Sequence, residues 1–303
     1  ACGDVMNALA PLVPELIGGS ADLAPSNKTI LKGLGDIAPA SFEGRNIHYG
    51  IRELAMTAIA NGITAFGGFR GYGATFFVFS DYLKPSIRLA CMMNLPITYI
   101  FTHDSISVGE DGPTHQPIEQ LLALRSMPNL DVFRPADTNE VIGTYRTILK
   151  KKSGPAAICL SRNVLPILET AKANEVERGG YVIYDTSTKP HGIIIATGEE
   201  VSTSIEVAKR LRTKGIDIRV VSMPNLERFL NQDEDYIESI IPVEIKKIVI
   251  EAASSLSWHS IIFNSKYLIT LDDFGASGKK NDVYKKFGFD IDSLEEKIEN
   301  LLK

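Results

Sequence analysis

Pro96-Ile97-Thr98-Tyr99-Ile100-Phe101, followed by Thr102-His103-Asp104-Ser105, is a short apolar run that breaks abruptly into polar residues. A strand buried on both faces has that form. The same pattern returns on the C-terminal side, with Val132-Phe133 ahead of Arg134-Pro135-Ala136-Asp137 and Ala156–Leu160 ahead of Ser161-Arg162. Stretches of helical period cover residues 51–66, 75–93, 116–127 and 139–151. Strand and helix in alternation predict an α/β fold with a parallel sheet covered on both faces. Functional groups in such folds gather beyond the carboxyl ends of the strands. Residues 164–178 are irregular and charged, contain Pro166, and lead into Gly179-Gly180. Beyond them a second α/β series begins: strands at 181–184, 192–197, 216–222 and 247–251, helices at 201–214 and 234–241, and a closing amphipathic helix at 294–302. The expected architecture is two doubly wound domains with mainly parallel sheets, residues 1–163 and 179–303, joined by a linker at 164–178.

Composition supports a globular reading. The chain has 303 residues, 44% hydrophobic and 23% charged, enough for about two domains. Its formal charge of −5 speaks against a general nucleic-acid binder or a basic membrane-surface protein. The most hydrophobic stretch, 87–101, is interrupted by Arg88, Asn94 and Pro96, so no membrane span is expected. Cys2, Cys91 and Cys159 are odd in number, widely spaced and without a CxxC pair, which points away from disulfides and zinc and toward the reducing cytoplasm. The chain starts at Ala1 with no signal-like segment, and removal of a preceding segment is the expected explanation.

Four groups of residues could carry chemistry. Glu53 stands in the first turn of the 51–66 helix. Ile51, Leu54, Ala55, Ala58 and Ile59 share one face of that helix, and Glu53, Thr57 and Ala60 share the opposite one. The apolar face is expected to meet the core. Glu53 is then either a helix-start acid or a carboxylate overlooking room for a flat ligand. Phe76, Phe79 and Tyr82 recur at i, i+3 and i+6, as core packing or as a pocket wall. Residues 101–117 crowd His103, His115, three carboxylates and two glycines into one loop, a functional density. The two histidines lack metal-ligand spacing, and no metal site is expected on this chain. Arg162, just past a strand, could clamp a phosphate or pair with the linker.

Four longer stretches give these residues a context. Gly-Gly-Ser-Ala-Asp-Leu-Ala-Pro-Ser-Asn (18–27), Ile-His-Tyr-Gly-Ile-Arg-Glu (47–53), Thr-His-Asp-Ser (102–105) and Gly-Glu-Asp-Gly-Pro-Thr-His-Gln-Pro (109–117) occur in the order found in transketolases, and the chain resembles that thiamine diphosphate-dependent family. Phe-Gly-Ala-Ser (274–277) extends the resemblance toward the C-terminus. It departs at Gly278-Lys279-Lys280, where the family usually continues with Ala-Pro, a difference expected to have no functional consequence.

The resemblance implies transfer of a two-carbon ketol unit from a ketose phosphate to an aldose phosphate, in the pentose phosphate pathway. It implies that Glu53 hydrogen-bonds the cofactor's aminopyrimidine, that Phe76, Phe79 and Tyr82 hold that ring, and that Asp22 and Leu23 approach the cofactor across a homodimer interface. For the substrate it implies Ser26, His103 and Arg162 at the phosphate end, Asp111 on a hydroxyl, and His115 beside the reacting carbons. The catalytic set is thus Glu53, His103 and His115. The family holds Mg²⁺ and the diphosphate through a Gly-Asp-Gly motif that these 303 residues lack. The chain is therefore expected to be the pyrimidine-binding and C-terminal half, truncated or split from the rest and inactive without a partner carrying the other half. Two other readings are the β subunit of a 2-oxo acid dehydrogenase and a catalytically silent dimerisation or regulatory module.

Overall fold

The computed structural model describes all 303 residues. The first unit contains α1 (Cys2–Leu9), β1 (Leu16–Ser20), α2 (Ala24–Asn27), α3 (Glu53–Phe66), β2 (Arg70–Phe76), α4 (Lys84–Met92), β3 (Thr98–Thr102), α5 (Gln120–Arg125), β4 (Asp131–Phe133), α6 (Thr138–Lys150) and β5 (Ala156–Leu160). Its five strands run parallel in the order β1-β2-β3-β5-β4. The second unit contains β6 (Tyr181–Tyr184), β7 (Gly192–Ala196), α7 (Glu200–Thr213), β8 (Ile218–Ser222), α8 (Leu226–Leu230), α9 (Glu234–Ile240), β9 (Lys247–Ile250), β10 (Leu268–Ile269), α10 (Lys280–Phe287) and α11 (Ile291–Leu302). Its order is β10-β9-β7-β8-β6, parallel except for β6, which runs antiparallel to β8. No helix is long and apolar enough to cross a membrane.

The central strands β3, β5 and β7 are buried along their whole length. Each sheet separates two apolar layers, as covered parallel sheets require. Several helices start where a side chain satisfies an orphan amide. Asp137 accepts from the Glu140 amide at α6, and Asp290 from the Ser293 amide at α11. The three cysteines are free and buried. Burial pushes the Cys2 and Cys91 thiols up to about 11, which makes them poor nucleophiles.

Two expectations need correction. Residues 75–93 do not form one helix: Thr75 and Phe76 end β2, a 3₁₀ turn spans Phe77–Tyr82, and α4 begins only at Lys84, with Pro85 in its first turn. Pro85 fits a helix start and not a helix interior. The 3₁₀ turn also superposes side chains three apart, so its spacing imitates an α-helical stripe. The second correction concerns α3, whose facing is reversed. Glu53, Met56, Thr57 and Ala60 are buried, while Leu54 and Ile59 are 52% and 48% exposed. The small-residue face lies against β2, where glycine makes a close approach possible. A Cβ on Gly71 would sit 2.8 Å from the Ala60 carbonyl oxygen and 2.5 Å from Thr64 Oγ1. The apolar face of α3 is left outward, and Leu89 and Met92 of α4, which packs on α3, are exposed as well.

Candidate active site

Strand register assembles the site. Phe76 pairs with Thr102, and Thr102 with Leu160, so the carboxyl ends of β2, β3 and β5 stand in one row. Phe76, His103 and Arg162 leave from that row. Ser20 at the end of β1 pairs with Ala74 and brings the 21–28 segment alongside.

The aromatic residues form a continuous wall. The Phe76 ring stacks on the His103 imidazole with centroids 3.7 Å apart and on Phe79 at 6.1 Å with planes 7° apart. Tyr82 continues the row, its centroid 6.1 Å from Phe79, and His115 meets Phe79 edge-on at 5.6 Å. Glu53, the first residue of α3, is buried, and the one hydrogen-bond contact of its carboxylate is a long one of 3.5 Å from the Thr75 hydroxyl, next to Phe76. No cation pairs with it. A buried carboxylate so weakly satisfied calls for a donor.

His103 is held from below. It occupies the left-handed region at φ +64°, uncommon for a side-chain-bearing residue. Its Nδ1 lies 2.9 Å from Thr102 Oγ1. The Thr102 hydroxyl donates to Asn27 Oδ1 at 2.6 Å, and Asn27 Nδ2 donates to Ser20 Oγ at 3.0 Å, which in turn is 2.8 Å from Thr29 Oγ1. With its one proton given to Asn27, Thr102 can only accept from His103. The imidazole proton therefore sits on Nδ1, and Nε2 is left as an acceptor. Burial, then the Arg162 charge, hold the pKa of His103 down at about 4, against the opposing pull of Asp111, so the ring is neutral at pH 7.

Ser26, His103 and Arg162 line one cavity of about 690 Å³, with Lys28 and Lys32 on the same lining. Arg162 is exposed, and Nη1 donates to the Val108 carbonyl at 3.2 Å. Asp111 is exposed on the neighbouring loop, which turns at Gly112 with φ +74°. Gln116 Nε2 fastens this loop by donating to the Gly109 carbonyl at 2.9 Å and to Ala276 of the second unit at 3.0 Å. Asp22, exposed, and Leu23, half-buried, occupy the turn after β1 and do not line that cavity. No three His, Cys, Asp or Glu side chains converge in a metal-holding arrangement.

Sequence reasoning missed the polar chain through Asn27 and Thr102, and it missed the charged contact between the units. Arg134, after β4, donates through Nε to Asp104 at 2.8 Å and through Nη1 to Thr197 Oγ1 at 2.8 Å and to Glu200. Arg125 forms a two-pronged pair with Glu251 at 2.8 and 2.9 Å. All of these acids and bases are buried. Burial works against the Arg134 charge, but Glu200, Asp104 and Glu251 outweigh it and hold its pKa well above the usual value. Lys280, in the segment that departs from the usual family sequence, pairs with Glu199.

Two units built on mainly parallel sheets have the fold of the thiamine diphosphate-dependent enzymes. Residues 1–167 match the transketolase pyrimidine-binding domain, and residues 179–290 the transketolase-like C-terminal domain. The chain belongs to the transketolase family. It is 45% identical over 303 residues to a transketolase of Staphylococcus aureus, covering 99% of this chain and 46% of that protein. A Pichia stipitis transketolase in complex with sedoheptulose-7-phosphate superposes with a TM-score of 0.94 at 41% identity, over 99% of this chain and 45% of the other. A split-gene transketolase described as an inactive β4 tetramer shares the fold at 24% identity and a TM-score of 0.80, over 99% of this chain and 96% of that one. The chain thus spans about half the length of the curated relatives it matches.

Proposed function

We propose that this chain, with domains at 1–163 and 179–303, forms the pyrimidine and sugar-phosphate half of a cytoplasmic transketolase. It would move a two-carbon ketol unit between sugar phosphates and would be inactive until a half carrying the diphosphate and Mg²⁺ site joins it. The observation that carries the reading is one juxtaposition: the Glu53 carboxylate and the Phe76–Phe79–Tyr82 wall adjoin a cavity that presents His103, Ser26 and Arg162 together.

The residues fit thiamine diphosphate. The aromatic row suits a flat ring, and Glu53 lacks a strong partner of its own. When bound, the cofactor supplies a nucleophilic carbon able to add to and release a sugar carbonyl. Glu53 would hold a proton at N1′ of the aminopyrimidine, and Phe76, Phe79 and Tyr82 would fix the ring plane. Arg162 offers the phosphate a planar pair of donors, with the Ser26 hydroxyl beside it. His103, neutral with Nε2 bare, would accept from a sugar hydroxyl. Asp111 would read the hydroxyl next to the ketose carbonyl, and His115 would stand as proton donor near the reacting carbons. Asp22 and Leu23 would reach the cofactor of the other subunit. The outward apolar face of α3 and α4, with Leu54, Ile59, Leu89 and Met92, is the surface on which a second copy would pack.

The test is ketol transfer from xylulose 5-phosphate to ribose 5-phosphate, with and without a complementary N-terminal transketolase half. Turnover only in the mixture is expected, and Glu53→Ala should abolish most of it with the fold intact. Full turnover by the lone chain, or none in the mixture, overturns the reading.

A further inference from the structure

The two sheets meet carboxyl edge to carboxyl edge, and one dipeptide after β7 reaches both sides of the phosphate end of the cavity. Glu199 and Glu200 are buried, and Glu200 opens α7. Glu199 Oε2 accepts from Ser161 Oγ at 2.9 Å and from Asn163 Nδ2 at 3.3 Å, the two residues that flank Arg162. Its other oxygen pairs with Lys280. Glu200 takes the Arg134 guanidinium on one oxygen and the Tyr284 hydroxyl, at 3.0 Å, on the other. Arg134 holds Asp104, the residue after His103.

We propose that Glu199 and Glu200 are positioning residues, a clamp by which the C-terminal domain sets Arg162 and His103 at the spacing a sugar phosphate needs. Arg162 makes a single hydrogen bond of its own, so its place depends on the backbone that Ser161 and Asn163 anchor. His103 keeps a left-handed backbone, which lasts only where the surroundings impose it, and the buried Asp104–Arg134–Glu200 chain supplies that constraint. Because the two acids are consecutive at one helix start, the two prongs move as one rigid element. Lys280 becomes part of the same clamp.

The inference rests on the sugar-phosphate reading, and its first test needs no activity. In the 303-residue chain, NMR follows the His103 ring through a pH titration. Glu199→Ala should free the 161–163 segment, weaken the repulsion from Arg162, and raise the His103 midpoint by roughly 0.5–1 pH unit. Glu199→Gln, which removes the same charge but keeps an accepting oxygen, should leave the midpoint near that of the parent. An unchanged midpoint in a folded Glu199→Ala chain overturns the first prong. If that variant does not fold, Ser161→Ala combined with Asn163→Ala removes both contacts from the other side and is read identically. For the second prong, Glu200→Ala leaves Arg134 paired with Asp104. It should quicken amide exchange at residues 103–105 about tenfold or more relative to β3, and equal rates overturn that prong. In the assembled enzyme, Glu199→Ala should raise KM for ribose 5-phosphate about tenfold with kcat retained and spare unphosphorylated ribose, with rescue by Glu199→Gln. Equal losses for both sugars overturn the positioning role. Absence of ketol transfer in the parent assembly would overturn the function proposed above while leaving the NMR result to stand by itself.

Discussion

Thr102→Val isolates the polar chain beneath His103. Valine keeps the β-branched shape that β3 favours, so the strand should persist, and only the hydroxyl is lost. That hydroxyl serves two buried partners: it donates to Asn27 Oδ1 at 2.6 Å and accepts from His103 Nδ1 at 2.9 Å. Each lost hydrogen bond is worth about 1 kcal/mol, and a buried group left without a partner adds about 1–3 kcal/mol. The added methyl returns about 0.8 kcal/mol. With one partner left unsatisfied, the expected net loss is about 2–4 kcal/mol, measured as a lower urea midpoint at unchanged slope. Thr102→Ser, which keeps the hydroxyl, should recover most of it. Thr102→Val also releases the imidazole proton from Nδ1, so ¹⁵N shifts of His103 should move toward a mixture of tautomers in that variant and stay unchanged in Thr102→Ser. A loss below about 0.5 kcal/mol with unchanged ¹⁵N shifts would refute the claim that Thr102 dictates the tautomer.

Other outcomes follow from the same geometry. His103 titrates at about 4 when folded, below its ordinary 6.5, so the unfolded chain binds the proton first and the His103 contribution to stability is lost as pH falls from 6.5 to 4. Glu200, raised to about 7 mainly by burial, acts oppositely, its contribution being lost as pH rises through 7; the His103 effect is therefore read as the difference between the parent chain and His103→Gln in urea melts across that window. Gly71→Ala should cost about 1–3 kcal/mol because its methyl meets the Ala60 carbonyl, whereas Gly73→Ala faces only the flexible Met56 side chain at 3.4 Å and should cost far less, as urea midpoints will show. If a second copy packs on α3 as proposed, replacing exposed Leu54 and Ile59 with Lys should change the stability of the single chain by no more than about 0.5 kcal/mol each and yield monomers in sedimentation; a dimer persisting in that variant would exclude that face as the interface.

The alternation of buried strands and helices was readable because β3, β5 and β7 are apolar on both faces and end sharply in polar residues. β2 was not, since Arg70-Gly71-Tyr72-Gly73-Ala74-Thr75 interleaves glycine with polar groups and shows neither an apolar run nor clean alternation. Helical period assigned the two faces of α3 correctly but could not say which one meets the sheet. Glycines on β2 admit the small face, and the apolar face is left for another surface. The loop histidines stood out by density. Glu199 and Glu200 did not, because acids at a helix start are ordinary, and their partners Ser161 and Arg134 lie 38 and 66 residues away in the chain.

Burial within the site follows a direction with a physical consequence. Beneath the cavity, Ser20, Asn27, Thr29 and Thr102 are buried and hydrogen-bonded to one another, and buried Asp104 is held by Arg134 through one carboxylate oxygen. Of its lining, Ser26 and Arg162 are exposed, as are Asp111 on the neighbouring loop and Tyr82 at the end of the aromatic row. A floor fixed by hydrogen bonds under a rim open to water is what the proposed half-site requires: the charges on the rim are screened until something covers them. Covering them with protein and a sugar phosphate lowers the local dielectric and strengthens the Arg162 interaction with a phosphate dianion several-fold. The rim residues should therefore contribute little to ligand binding by the isolated chain and much in an assembly. On the proposed function, ribose 5-phosphate should bind the assembly more tightly than the isolated chain by calorimetry, and equal affinities would refute a site completed by covering the rim.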